Sequence, residues 1–128
     1  MKKKRKKILI VDDENSLRML VNATLEGEHC KILQAKNGLE AVEISRKERP
    51  QLIILDLMMP GMSGLEALEI IRNTEEIRET PVIILTAKGQ PHDRETAMKK
   101  GASRFLTKPF SPLELLTLVE DALKGVKN

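Results

Sequence analysis

Residues 52–64 read LIILDLMMPGMSG: four apolar residues, an acid, then a turn rich in Met and Gly. An apolar run of that length without polar alternation has the character of a strand buried on both faces. Asp56 is the anomaly. An unpaired carboxylate at the margin of a core costs several kcal/mol, roughly, or is forced to neutralise. Its presence has to be explained by whatever else the chain brings to the same place.

Working outward, four more short apolar runs lie on either side: KILIV (7–11), CKILQA (30–35), PVIILT (81–86) and RFLT (104–107). Segments of helical composition separate them, and several carry end signals. Asn37 is placed to cap the second helix. Ser63 and Glu66 form an S-x-x-E capping box ahead of Leu65, Leu68 and Ile71, and Ser111 and Glu114 form another with Pro112 at the first helical position. Gly27 and Gly101 sit where helix stops belong. The alternation predicts an α/β fold, a doubly wound five-stranded parallel sheet with five helices and right-handed crossovers. The C-terminal ends of all its strands open onto one edge, where ligands bind.

The 128 residues suit one domain, 1–128, with a single core. No stretch approaches the roughly 20 apolar residues of a membrane span, and the basic start lacks the apolar length and cleavage site of a signal peptide. Cys30 is the one cysteine, so no internal disulfide can form; a reducing, cytoplasmic setting is expected. The net charge of +3 is misleading, because Lys2, Lys3, Lys4, Arg5, Lys6 and Lys7 supply six cations; setting them aside takes the balance to −3. Residues 1–6 read as a basic, frayed tip on a mildly acidic body. With no Trp or Tyr to stack on bases, direct nucleic-acid binding is not expected.

What gathers at the strand ends is specific. The first strand ends in Asp12 and Asp13, the third in Asp56, the fourth in Thr86, the fifth in Thr107-Lys108-Pro109. A lone Asp after a strand is ordinarily a turn or cap residue, but three acids, a hydroxyl and an ammonium at the same ends of four strands are harder to dismiss. Clustered carboxylates raise one another's pKa unless a cation intervenes. Mg2+ suits them, since it takes one or two carboxylates, keeps several waters and works beside phosphate. Two His and one Cys make zinc improbable. Metal, ammonium and hydroxyl are the groups needed around a transferring phosphoryl group. Asp56, on the central strand, is then the candidate nucleophile, forming an acyl phosphate.

ILIVDDE, LIILDLMMPGMSG, PVIILTAK and FLTKPF, in that order, resemble the receiver domains of bacterial two-component response regulators from Lys7 to about Leu123. The resemblance implies the flavodoxin-like receiver fold with strand order 2-1-3-4-5. It makes Asp56 the phosphorylated aspartate, Asp13 a direct Mg2+ ligand, Asp12 one acting through water, and Met58 a ligand through its main-chain carbonyl. Lys108 is the phosphate-pairing lysine, aimed by a cis bond to Pro109. Thr86 is the switch hydroxyl. Phe105 takes the aromatic switch position, packing inward behind Thr86 once phosphate recruits it; an ordinary core aromatic is the plainer reading. Phe lacks the phenolic oxygen of the more usual Tyr.

The implied function is a phosphoacceptor switch fed by a sensor histidine kinase, catalysing only its own phosphorylation and slow dephosphorylation. Its downstream target would bind a face of helix 4, strand 5 and helix 5. Helix 4, near residues 92–101, has little apolar periodicity, with Ala97 and Met98 its core candidates; Lys88, Lys99, Lys100 and Arg104 give that side a basic cast. Met58, Met59 and Met62 offer a soft docking surface or packing under the loop. Met58 and Lys88 would also shield the acyl phosphate from water and slow its decay. Three rivals remain. An aspartyl-nucleophile phosphatase would want an acid two residues past Asp56, where Met58 stands. A Rossmann domain would want glycines after strand one, where VDDENSL has none. A non-phosphorylated adaptor would not need the full acid, Thr and Lys set. A stand-alone receiver is expected slightly ahead of a piece of a longer regulator.

Overall fold

The computed structural model describes residues 5–27, 29–87 and 91–124. Five strands, β1 (Lys6–Val11), β2 (Cys30–Ala35), β3 (Leu52–Asp56), β4 (Val82–Ala87) and β5 (Arg104–Lys108), alternate with five helices. These are α1 (Asn15–Leu25), α2 (Gly38–Glu48), α3 (Gly64–Arg72), α4 (Pro91–Lys99) and α5 (Pro112–Lys124). The strands form one parallel sheet in the order β2-β1-β3-β4-β5.

The sheet separates two apolar layers, each built from alternate residues of the strands. Leu9, Val11, Ile53, Leu55, Val82 and Ile84 pack with Ala41 of α2, Leu68 of α3 and Ala97 of α4. Ile8, Ile10, Leu52, Ile54, Ile83 and Leu85 pack with Val21 of α1 and Leu115 of α5. Covered on both faces, β1 and β3 carry no polar alternation, which is why their runs are continuous.

Helix starts follow the expected capping. Asn37 Oδ1 accepts from the Glu40 N–H, and both Ser63/Glu66 and Ser111/Glu114 close reciprocal boxes. Gly101 takes φ 106 after α4, a left-handed stop that suits glycine. Gly27 differs, since α1 is closed at Glu26 by extended backbone. Lys6, expected in the frayed tip, is the first residue of β1, its N–H donating to the His29 carbonyl at 2.7 Å. The rest of that tip from 1 to 4 lies outside the described residues, as does Lys88. No described helix is long and apolar enough to cross a membrane.

Candidate functional site

Register places the chemistry. Val11 pairs with Leu55 and Asp56 with Leu85, so Asp12 and Asp56 lie side by side at the carboxyl ends of β1 and β3. Thr86 pairs with Thr107 and Ala87 with Lys108. By alternation Asp12, Asp56 and Lys108 continue the rows of Ile10, Ile54 and Leu106, on the α1/α5 face, whereas Thr86 and Phe105 share the α4 face. The acids and the expected switch residues thus stand on opposite sides of one sheet edge.

One carboxylate oxygen from each of Asp12, Asp13 and Asp56 can be chosen so that all three lie within 4.8 Å of one another. Asp12 is fully buried and completely occupied by protein. Its N–H donates to Ala35 O and its carbonyl accepts from Arg18 Nη1 at 2.6 Å. Its Oδ1 accepts from the Glu14 N–H and its Oδ2 from Lys108 Nζ, both at 2.9 Å. Asp13 is exposed and turned to solvent. Asp56, 4% exposed, accepts the Met58 N–H at 3.2 Å and faces Lys108 Nζ at 3.4 Å.

The electrostatics match this crowding. Burial, and then the charge of Asp12, push the Asp56 carboxyl up to about 6, against the opposing pull of Lys108 and the Met58 N–H. Burial works against the Lys108 ammonium, but its hydrogen bond to Asp12 and the charge of Asp56 overcome it, and its pKa is raised. Glu14 contributes a further carboxylate 3.9 Å from Lys108. One ammonium is thus set against several acids, leaving a local excess of negative charge. Three hard oxygen donors around it, two nearly dry and one wet, fit a small divalent ion such as Mg2+.

The Lys108–Pro109 peptide is cis. Gly64 is required because α3 starts directly against the end of β3: a Cβ there would lie 2.2 Å from the Asp56 carbonyl oxygen. The glycine of the opening motif therefore lets α3 pack against the main chain of the acid it follows.

The remaining expectations divide. Thr86 is buried at the end of β4. Met58 is exposed, but Met59 is buried in the core and Met62 packs against it, so the expected soft surface reduces to Met58. Met98 points outward, leaving Ala97 as the buried side chain among those described in α4; a helix stripe needs Ala97 and its neighbours at three- or four-residue spacing, which Met98 does not meet. Phe105 is neither a core aromatic nor packed inward. It is 37% exposed, with the Arg94 guanidinium 4.4 Å from its ring centroid. The basic cast of that side is partly neutralised, since Lys100 pairs with Glu69 and Arg104 with Asp121. Arg18 and Arg94 were not singled out from sequence. Their partners lie on other elements, and only Asn15, three residues before Arg18 on α1, offered a local hint.

A family profile described as the response regulator receiver domain matches residues 8–120. The transcriptional regulatory protein SrrA of Staphylococcus aureus is 41% identical over 94% of this chain and 49% of its own. A probable transcriptional regulator, ycf27 of Porphyra purpurea, is 39% identical over 97% of this chain and 50% of its own. The chain thus spans about half the length of these relatives. Among solved structures, chemotaxis protein CheY4 of Vibrio cholerae superposes with a TM-score of 0.88 at 33% identity, covering 94% of this chain and 100% of that one. The receiver domain of sensor histidine kinase PA1611 from Pseudomonas aeruginosa, described with magnesium coordinated in its active-site cleft, gives 0.86 at 28% identity, covering 95% and 100%.

Proposed function

Because this chain belongs to the response-regulator receiver-domain family, we propose that it is a phosphoacceptor switch that takes a phosphoryl group from a sensor histidine kinase onto Asp56. The observation that carries this reading is the convergence of Asp12, Asp13 and Asp56 within 4.8 Å, with Lys108 3.4 Å from Asp56. A carboxylate oxygen of Asp56 attacks phosphorus, an acyl C–O–P linkage forms, and the P–N bond of phosphohistidine breaks, its electron pair leaving on the imidazole nitrogen. Bound Mg2+ supplies charge neutralisation for the phosphoryl oxygens. Asp13 and Asp56 would hold it directly, Asp12 through water and Met58 through its carbonyl. The occupied state of Asp12 supports its indirect part, because its oxygens already accept from Glu14 and Lys108.

Lys108 is positioned to leave Asp12 and Asp56 for the incoming phosphoryl oxygens, adding charge-assisted bonds each worth about 1.5–3 kcal/mol. Modification takes the group from −1 to about −2. Thr86, one residue past the register partner of Asp56, then moves toward phosphate, and Phe105 leaves Arg94 for the space behind it. Shifting a population from 1:99 to 99:1 requires about 5.5 kcal/mol, which two or three such bonds supply. A target docks on the face of α4, β5 and α5, where β5 and α5 form a largely apolar hollow lined by Phe105, Leu113 and Leu118. The lone half-buried Cys30 fits a cytoplasmic setting.

The test is acetyl phosphate plus Mg2+ followed by intact-mass measurement. One phosphoryl adduct on the wild type and none on Asp56→Asn is expected. No adduct on the wild type, also with a panel of histidine kinases, leaves the adaptor reading in its place.

A further inference from the structure

Arg18 ties the segment that carries the acids to the edge strand of the sheet. Nη1 donates to the Asp12 carbonyl at 2.6 Å, Nη2 to Asn15 Oδ1 at 3.0 Å, and Nε to Gln34 Oε1 on the edge strand β2 at 3.2 Å. The Asp12 carbonyl belongs to the peptide plane joining Asp12 to Asp13, so holding that oxygen fixes the direction in which Asp13 leaves the strand. Past the buried Asp12 the segment has little else to rely on: α1 has no side-chain cap, and Asp13 and Glu14 are exposed. The Glu14 N–H depends on Asp12 Oδ1, the atom on the other side of the same residue.

We propose that Arg18 is a positioning residue for the divalent-cation site, bracing the β1–α1 segment against β2 so that Asp13 is presented to the ion. This rests on the Mg2+-dependent reading above and adds to it a residue that touches neither ion nor phosphate. Its charge makes the idea unusually easy to test, because charge and bracing predict opposite signs. A guanidinium beside an acidic cluster repels Mg2+, so its removal should tighten binding on Coulomb grounds alone. Loss of the brace lets Asp13 wander and weakens binding.

The experiment compares wild type, Arg18→Met, Arg18→Lys and Gln34→Leu. In Mg2+ titrations followed by calorimetry, Arg18→Met and Arg18→Lys should weaken the dissociation constant by about tenfold, the low end for lost outer partners of a metal site. Gln34→Leu, which removes no charge, should weaken it less and in the same direction. Equal or tighter binding by Arg18→Met overturns the proposal. In metal-free protein the Glu14 amide should exchange about tenfold faster in both Arg18 variants, reflecting about 1.4 kcal/mol of lost protection. Unchanged exchange overturns the brace whatever the metal results. A wild type that binds no Mg2+ overturns the receiver reading instead, and the exchange measurement still decides the brace.

Discussion

The acid end of β1 and β3 and the helix α4 are built by opposite rules. In the first, Ile8 to Val11 and Leu52 to Leu55 are completely buried, and every polar group of Asp12 has a protein partner. In the second, Ala97 is the buried side chain among those described, and the ties are mostly polar. Arg72 donates to the Gly101 carbonyl just past the helix, Lys100 pairs with Glu69, and Arg94 lies over Phe105. A nucleophile that must meet phosphorus in line gains from a frame that cannot shift. A surface that must change when phosphate arrives gains from a helix held by a few exchangeable contacts. On the proposed reading, the difference separates where phosphorus is taken up from where its arrival is read out.

Paired truncations should break this contrast if it is wrong. Ile54→Ala, in the middle of β3, should cost about 2–5 kcal/mol in urea unfolding, the range for a large core side chain reduced to Ala. Met98→Ala, on the outer side of α4, should cost less than about 1 kcal/mol. Equal losses would mean that α4 is as firmly anchored as the central strand.

Next in size is a gain. A carboxyl that ionises near 6 in the folded chain rather than at 3.8 is held less favourably as its anion, so its ionisation opposes folding. The sign follows from proton binding: the folded state holds the proton more tightly, so this contribution favours folding below about 4 and is lost as pH rises through 6. The cost of holding the ionised group at neutral pH in metal-free protein has a ceiling of about 3 kcal/mol. Asp56→Asn should therefore be more stable than wild type at pH 7 in EDTA, with the advantage shrinking toward pH 4. Saturating Mg2+ should raise the wild type and leave the variant nearly unmoved. Thermal unfolding across pH, with and without metal, measures both effects.

Much of the rigid region was legible in the sequence, and little of the loose one. Unbroken apolar runs define the strands because both faces are covered, and the boxes at Ser63 and Ser111 mark helix starts through contacts three residues apart. The convergence of Asp12, Asp13, Asp56 and Lys108 follows from parallel topology alone, since every strand delivers its last residue to one edge. The outward pose of Phe105 and the exposure of Met98 depend instead on where α4 settles, and its own residues say little because Ala97 is its one buried side chain among those described. Arg18 and Arg72 were unreadable for a related reason: a long side chain bonding main-chain oxygens leaves no periodic trace. Arg72 tests whether such ties matter. Arg72→Met, which frees the carbonyls of Gly101, Arg78 and Thr80, should cost about 1–2 kcal/mol and raise amide exchange at Ala102 first.

The smallest effect bears most directly on the proposed switch. Arg94 over Phe105 joins α4 to β5, and a cation–π pair at a partly exposed site contributes about 0.5–1 kcal/mol. Arg94→Leu keeps an apolar cover on the ring and removes the charge, so global stability should move by less than about 1 kcal/mol. The position of the ring should move more, because 0.5–1 kcal/mol changes a two-state ratio by roughly two- to fivefold. Phe105 and Phe110 are the two phenylalanines of a chain without Tyr or Trp, so phenyl signals in NMR can be assigned almost by inspection. In the variant the Phe105 ring should shift toward its position in the phosphorylated protein before any phosphodonor is added, while Phe110 stays put. A Phe105 signal identical to wild type would show that Arg94 does not hold the outward pose, and that the restraint on this side comes from the Arg72 and Lys100 ties alone.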